Sequence, residues 1–334
     1  MGGVDDAPPW RMFGVKILCI DSIVQRPLPT YVLYRFIIDF RNRIKRHKMA
    51  GENVLIFGGN GRIARSMTSL MLARSWKVTS VIRNVKQKDS ILQLGENQPG
   101  KINVLSMDMQ NIRNPADVSR ILETVKPTCV VFAAGMAPHN FPNNESLTSI
   151  NCVEPGSFQN VYAIDRDAAQ RIIKASTDAP FIAKFLMLSF PSSRRSAAPW
   201  WGKSDIQNWQ QEINSYPDIA EAKIQADEYL VAMSKARESS SGSPFQAISL
   251  RPSWLRTGPP MGRVKLGKTP ALGQVNIADV AAVGVSLLAR NDTSGWYDLV
   301  QGSDTVENAV DMCVKNEINC IEGEDLDRNF AFGD

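Results

Sequence analysis

The sequence predicts an α/β fold: a doubly wound parallel sheet with helices on both faces, in a single domain with a small C-terminal extension on the substrate side. Three observations predict it. From Asn53 onward, short apolar runs alternate with helical patterns at the spacing of βα units. A glycine cluster, "FGGNGRIA", lies between the first apolar run and the first helical pattern. A chain of 334 residues, 43% hydrophobic and 22% charged, has enough material to bury one large α/β core without staples.

The elements follow in order. "NVLIF" reads as the first strand, and residues 62–75 as a helix with Ile63, Met67, Leu70 and Met71 on one face. "KVTSVIR" (77–83) is the second strand, 85–94 a short helix and "KINVLSM" (101–107) the third strand. Pro115 opens a helix reaching Thr124, since the first helical turn needs no N–H from that position. "TCVVFAAG" (128–135) is the fourth strand and its exit. Two Pro-containing clusters and several Asn make 136–157 a loop, and a helix follows over 159–175. "AKFLMLSF" (183–190) is the fifth strand, and 191–214, with Trp200, Trp201 and Trp209, reads as irregular. A long helix covers 216–237, "SSSGSP" (239–244) breaks it, and "FQAISL" (245–250) is the sixth strand. A Gly/Pro-rich section reaches Gln274, 277–290 is helical, "GWYDLV" (295–300) is a last strand and 305–315 a last helix. Strict alternation of strand and helix implies a parallel sheet. The domain is accordingly placed at 50–316, and 317–334, with Glu322, Glu324, Asp325 and Asp327, is read as a solvated acidic tail.

Composition excludes several classes. The five cysteines form no C-x-x-C pair, which argues for reduced thiols in a cytoplasmic setting and against a disulfide framework or zinc site. With only His47 and His139, a multi-histidine metal centre or a Ser-His-Asp triad lacks material, so no metal is expected. Residues 1–49 carry 9 Lys/Arg against 4 Asp/Glu, a balance of +5, and the rest 29 against 30, so −1. The basic excess belongs to this leader; the body has no electrostatic footprint of a nucleic-acid binder. The leader's Asp5, Asp6, Asp21 and Asp39 are wrong for a mitochondrial presequence, and its runs "VKILCI" and "YVLY" are too short to span a bilayer. Stable membrane insertion is not expected, although a surface helix around 31–46 stays open. "KMAGENVLIFGG" is a natural domain start, so 1–49 reads as a non-domain leader: an extension upstream of an initiating Met49, or a weak targeting segment.

The glycine cluster carries the functional signal. Gly58, Gly61 and Ala64 follow G-x-x-G-x-x-A, and Gly59, Gly61 and Ala64 follow G-x-G-x-x-A. Placed between a strand and a helix, such a turn lets backbone approach a pyrophosphate at the helix N-terminus, while the small Ala64 lets the helix pack close to the strand. The turn residues Gly58, Gly59, Asn60, Gly61, Arg62 and Ile63 are therefore candidate cofactor-binding residues. The second strand ends in Arg83 and Asn84, where an NAD-selective fold would place Asp or Glu. An arginine there suits a 2′-phosphate, so NADP(H) is the expected cofactor. Asp108 after the third strand is placed for an adenine amino group, and Ala133, Ala134 and Gly135 are small residues where the cofactor would pass. Arg83 as a solvated strand-end charge, and the whole turn without a ligand, are the plainer readings.

In this order, "GGNGRIA", "VIRN", "MDM", "FAAG", "LMLS", "EAKIQAD", "LRPSWL" and "IADVAA" resemble the atypical short-chain dehydrogenase/reductase superfamily. They look most like its NAD(P)H-binding, NmrA-like and biliverdin-reductase-B-like branches, over residues 53–310. The resemblance implies a Rossmann fold of about seven strands, NADP(H) binding and, in many members, a reductase activity. Fuller members use Ser, Tyr and Lys, with Tyr and Lys spaced Y-x-x-x-K. Here Lys223 in "AKIQAD" matches the lysine, but Ile219 stands where the tyrosine would. Tyr216 lies seven residues before Lys223, about two helical turns away, and is followed by Pro217. Ser189 ends the fifth strand and Ser192 follows. Lys223, Ser189 and Tyr216 are the catalytic candidates, with Lys223 and Ser189 also facing the cofactor; a surface pair of Lys223 with Asp227 is the alternative.

Arg194 and Arg195 are read as binding an anionic group or lying in solvent. "RPSWL" would line the nicotinamide end, with Pro252 at the cofactor. Trp200, Trp201 and Trp254 would form an apolar wall or pack their loop. His139, in the loop after the fourth strand, reads as a ligand-side residue or a solvated one. The expected protein is a monomeric or homodimeric cytoplasmic NADPH-dependent reductase of a small apolar or aromatic carbonyl, quinone or flavin-like compound. A non-catalytic NADP(H) sensor, and an epimerase or dehydratase with retained cofactor, are the other two classes.

Overall fold

The computed structural model describes residues 51–135, 161–242 and 244–325. The chain divides into two units, Met1–Ala50 and Gly51–Asp334, and every described residue belongs to the second. The readings made for the leader, for the segment with His139 and for Asp327 lie outside the described residues.

Strand β1 (Asn53–Phe57) shows how the architecture is built. Alternate side chains of a strand point to opposite faces, and this run is apolar throughout. Val54 and Ile56 enter one core, Leu55 and Phe57 another. A sheet with both faces buried needs a helix layer on each side. On the Val54 side lie α1 (Arg62–Ala73), α7 (Ile277–Leu288) and α8 (Val306–Lys315). On the Leu55 side lie α3 (Pro115–Val125), α4 (Ala169–Asp178) and α6 (Pro217–Ser241). Two further helices are α2 (Lys88–Leu92) and α5 (Lys203–Ser215). Each large apolar side chain fully buried this way contributes about 1.5–3 kcal/mol.

The remaining sheet strands are β2 (Lys77–Ile82), β3 (Lys101–Ser106), β4 (Cys129–Phe132), β5 (Lys184–Leu188), β6 (Gln246–Pro252), β8 (Arg263–Leu266), β10 (Gly295–Gln301) and β11 (Asp304–Thr305). The sheet order is β11-β8-β10-β6-β5-β4-β1-β2-β3. Pairing is parallel from β3 through to β10. The chain winds outward from β1 to β3, then returns to β4 on the other side of β1. That reversal opens a crevice at the C-terminal ends of β1 and β4, where ligands bind in such sheets. The Rossmann-type doubly wound fold is as the alternation predicted.

Local signals explain several boundaries. Pro115 stands in the first turn of α3, and Asn114 with Asp117 forms a capping box there. Lys126, in the left-handed region, ends the helix. Gly284 of α7 lets α1 come close: a Cβ there would lie 3.0 Å from the Met67 side chain.

Three differences from the sequence reading have physical causes. The segment read as irregular contains α5, whose apolar residues Ile206, Trp209 and Ile213 are spaced as on one helix face but are few and only half-buried among polar ones. The Gly/Pro-rich section holds β8, antiparallel to β10, and the two-stranded parallel sheet of β7 (Trp254–Arg256) and β9 (Gln274–Asn276). Strands of three or four residues are too short for a period to register. Residues 317–325 are only partly the solvated tail expected: Glu322 and Asp325 are exposed, but Cys320 is buried and Glu324, with a side chain 3% exposed, pairs with Arg194 at 3.2 Å.

Among the described residues no helix is long and apolar enough to cross a membrane, and no group of three or more His, Cys, Asp or Glu could hold a metal ion. Cys129, Cys313 and Cys320 are buried free thiols.

Candidate functional site

The glycine turn occupies the crevice at the sheet's switch point. Gly58 has φ +80°, and a Cβ there would lie 2.8 Å from the Ala134 nitrogen and 2.9 Å from the Ala133 carbonyl. Only glycine can therefore leave β1 at this angle and pass the exit of β4. A Cβ on Gly59 would meet the Ser80 side chain at 2.7 Å. The Gly59 N–H donates to Val81 O and the Gly61 N–H to Gly58 O, both at 2.9 Å, which locks the turn. Gly61 is the N-cap of α1 and supplies no side-chain cap. The first N–H groups of a helix have no intrahelical acceptor, and here they open beside exposed Gly61 and Arg62, with Ile63 half-buried next to them. Ala64 is fully buried under the sheet, as its small size predicted.

Arg65, one turn into α1, was not legible as a site residue. Its guanidinium donates to Asn60 Oδ1 at 3.3 Å and Ser90 Oγ at 3.1 Å. It thereby ties the glycine turn to the helix after β2. Asn60 is occupied in holding the turn's shape.

The two other strand ends behave locally. Arg83 follows β2 directly and is exposed. Asn84 accepts from Lys86 N at 2.9 Å and caps a short 3₁₀ turn. Asp108 does the same for Gln110 N at 3.0 Å after β3. These Asx caps hold both strand exits in defined turns at the ligand end of the sheet.

Lys223, on α6, reaches the exits of β4 and β5. Its ammonium lies 2.9 Å from Asp165 Oδ1 and donates to Leu188 O at 3.4 Å. Asp165 sits in a π-helical turn, Tyr162–Ala168, that leads into α4. Its side chain is fully buried and that of Lys223 is 13% exposed. A Cβ on Gly135 would lie 2.6 Å from Asp165 Oδ1 and 3.1 Å from Lys223 Nζ, so the ion pair is pressed against the end of β4. Gly58, Ala133, Ala134, Gly135, Leu188 and Lys223 thus meet in one place. The surface pair of Lys223 with Asp227 is not formed, because Asp227 is wholly buried and faces Arg251.

The other catalytic candidates are placed differently from expectation. Ser189 donates its hydroxyl to Asp227 Oδ2 at 2.5 Å and is 7% exposed, so its proton points into the core. Ser192 is fully buried. Tyr216 is the N-cap of α6 and packs edge-on against Trp254, with ring centroids 5.7 Å apart. It is not a partner of the Lys223 ammonium. Tyr162, which the sequence did not single out, donates to Asp218 Oδ1 at 3.2 Å at the start of α6. Partial burial and the Asp218 carboxylate push its phenol up, so it stays protonated near neutrality.

Beneath the site lies a buried charge cluster. Arg251 of β6 pairs with Asp227 and, at 3.0 Å, with Asp298 of β10, all three with side chains fully buried. Its remaining donors go to the carbonyls of Ser193 and Pro191, and its guanidinium lies 4.2 Å from the Trp296 ring centre. Asp227 also accepts from Ser249 at 2.6 Å. Two carboxylates share one guanidinium, and Asp298 has fewer donors, its Oδ2 having no partner among the described residues. Burial accordingly pushes Asp298 up to about 6, against the pull of Arg251.

Arg194 and Arg195 neither wait for an anion nor lie in solvent. Arg194 donates to the carbonyls of Cys320 and Glu322, and Arg195 forms ion pairs with Glu221 and Glu228 of α6. Both strap the 191–202 loop to the body. Trp200 and Trp201 donate to the same carbonyl, Thr269 O, so the packing reading holds for them. Trp254 stands against Phe190 and Tyr216, and Pro252 is buried at the end of β6. A groove of about 420 Å³ lined by Lys174, Thr177, Met233 and Arg237 lies at the opposite end of the sheet, where α4 and α6 finish.

With the turn, the strand exits and the α6 lysine in view, comparison with known proteins gives the family. Residues 58–291 match the family described as NAD(P)H-binding. The chain belongs to that family. The match begins at Gly58, the first residue of the turn, and it covers more than half of the chain. It makes a nicotinamide dinucleotide the cofactor of this fold.

A curated relative, UPF0659 protein C216.03 of Schizosaccharomyces pombe (strain 972 / ATCC 24843), is 25% identical over 217 residues, 64% of this chain and 75% of that protein. Among solved structures, one from Bacillus halodurans described as "Putative NAD-dependent epimerase/dehydratase" is 20% identical with a TM-score of 0.57, over 78% of this chain and 100% of that one. The anaerobillin reductase ChuY from Escherichia coli O157:H7 is 18% identical with a TM-score of 0.52, over 74% of this chain and 96% of that one. At these identities the solved structures share the fold alone, a Rossmann-type doubly wound sheet.

Proposed function

We propose that this member of the NAD(P)H-binding family is an NADPH-dependent reductase of a small apolar or aromatic carbonyl, quinone or flavin-like compound. One observation carries the reading: the glycine turn and the Lys223 ammonium converge on the exits of β4 and β5 at the switch point of the sheet. Bound NADPH would supply the hydride. The turn Gly58, Gly59, Gly61 gives its pyrophosphate close approach to the backbone, and the N–H groups of Arg62 and Ile63 at the start of α1 receive it. Arg83 receives the 2′-phosphate, and Asn84 and Asp108 flank the adenosine half. Ala133, Ala134, Gly135 and Pro252 leave room for the nicotinamide half, and Lys223 holds its ribose.

Proton delivery is the weaker part of the constellation. Ser189 is turned into the core on Asp227, Tyr216 packs edge-on against Trp254, and Ile219 fills the tyrosine position of Y-x-x-x-K. The chemistry this leaves is hydride transfer to an already electrophilic acceptor, with the proton coming from solvent; such a step depends on orientation more than on acid catalysis. The same observation favours a second reading, a non-catalytic NADP(H) sensor.

Stopped-flow NADPH oxidation against a panel of quinones, flavins and aldehydes separates the two. Turnover with any acceptor supports the reductase; tight NADPH binding with no turnover on the whole panel supports the sensor. For cofactor choice, Arg83→Ala is expected to lower NADPH affinity about tenfold or more while leaving NADH affinity within twofold. Equal effects on both would remove the 2′-phosphate assignment.

A further inference from the structure

We propose that Asp165 is a charge-compensating positioning residue for Lys223, and that the pair sets the relative affinity of the site for oxidised and reduced cofactor. The inference rests on the reading of the β4–β5 exits as the nicotinamide side of the site. The sequence shows only the lysine; Asp165 comes from a π-helical turn 58 residues earlier and was found by geometry alone.

A lone ammonium beside a nicotinamide is not neutral in its effect. The oxidised ring is a cation and the reduced ring is not, so an uncompensated lysine repels one form and spares the other. Here the ammonium is not alone. Asp165 Oδ1 lies 2.9 Å away in a fully buried side chain, and Leu188 O accepts an N–H of the ammonium. The neighbouring carboxylate Asp227 is occupied by Arg251, Ser189 and Ser249, so it does not serve Lys223 as a hydrogen-bonding partner. Asp165 therefore offsets the lysine's charge and holds the ammonium between two strand exits, with N–H left for a ligand hydroxyl. Gly135 completes the arrangement, since any side chain there would displace the pair.

The consequence has a sign. Asp165→Asn leaves net positive charge at this place and is expected to weaken binding of NADP⁺ relative to NADPH. Lys223→Met leaves net negative charge and is expected to do the reverse. One unit charge acting over several ångströms at an effective dielectric constant between 20 and 80 changes the ratio by about 3- to 30-fold. The double variant restores neutrality, so its ratio returns to within about twofold of wild type.

Dissociation constants of NADP⁺ and NADPH, measured by titration of the full chain and each variant, test this. Ratios that shift in opposite directions in the two single variants and return in the double variant support it. Both affinities falling together at constant ratio, as a purely structural role would produce, overturns it. If Asp165→Asn does not fold by circular dichroism, Lys223→Met decides alone: its ratio must fall at least threefold, and an unchanged ratio overturns the proposal. If wild type binds only the non-phosphorylated pair, NAD⁺ and NADH carry the same charge difference, and the test proceeds with them while the Arg83 assignment fails. A chain that binds neither pair overturns this inference and the proposed function together.

Discussion

Replacing Gly58 by alanine separates two effects that the turn combines. At φ +80° an L-residue carries left-handed strain of about 1–2 kcal/mol. The added Cβ would also lie 2.8–2.9 Å from backbone atoms of Ala133 and Ala134. Those atoms belong to the exit of a central parallel strand, paired to β1 on one side and β5 on the other, and cannot swing away like a side-chain tip. Relief requires moving one strand end, at a further cost of about 1–3 kcal/mol by analogy with overpacked cores. Gly242 provides the comparison. It caps α6 at φ +62°, and a Cβ there would meet nothing within 4 Å. Gly242→Ala therefore carries the strain without the clash. Urea titration is expected to show Gly58→Ala destabilised by about 2–5 kcal/mol and Gly242→Ala by about 1–2. Equal losses in the two variants, or a loss below about 0.5 kcal/mol at Gly58, would refute the argument that the glycine is there for the close approach to β4.

Three further outcomes follow from the same geometry. Arg251→Met leaves Asp227 and Asp298 buried without their guanidinium and is expected to cost about 3–5 kcal/mol in urea unfolding at pH 7, the loss shrinking towards pH 4 as the carboxyls take up protons. In the wild type, Asp298 sits at about 6 in the folded chain against an ordinary value of 3.8. A raised folded value means that its contribution to stability is full below about pH 4 and is lost as pH rises through about 6; Asp298→Asn should remove that slope from a plot of unfolding free energy against pH. Gly135→Ala should displace the Lys223–Asp165 pair and lower NADP(H) affinity at least tenfold in a fluorescence titration, while leaving the far-ultraviolet circular dichroism of the fold unchanged.

The parts of the site that rest on short-range rules were legible in the sequence. The glycines of "FGGNGRIA" sit between a strand and a helix, and no neighbour in space is needed to read the turn they make. Pro115 marked a helix start for the same reason. What escaped were contacts made between distant segments. Asp165 is one acidic residue among many until the fold brings its π-helical turn beside Lys223. Arg194 and Arg195 were read as open charges, because the carbonyls of Cys320 and Glu322 and the carboxylates of α6 that take them up lie far along the chain. Ser189 was placed at the right strand end, but only the structure turns its hydroxyl towards Asp227. Helix α5 was hidden because its stripe, Ile206, Trp209 and Ile213, is narrow and set among polar residues.

The π-helical turn has a consequence for how this site can vary. Hydrogen bonds from each residue to the fifth along accommodate one more residue per turn than the helix running on from it. Deleting a single residue from Arg166–Ala168 would return the segment to ordinary winding, and every side chain before the deletion, Asp165 included, would rotate by about 100° around the axis. Asp165 would then leave Lys223 without any change in either residue's identity. The alignment of this carboxylate with its lysine is thus held by a count of residues, and an indel in that turn would alter the site as thoroughly as a substitution in it.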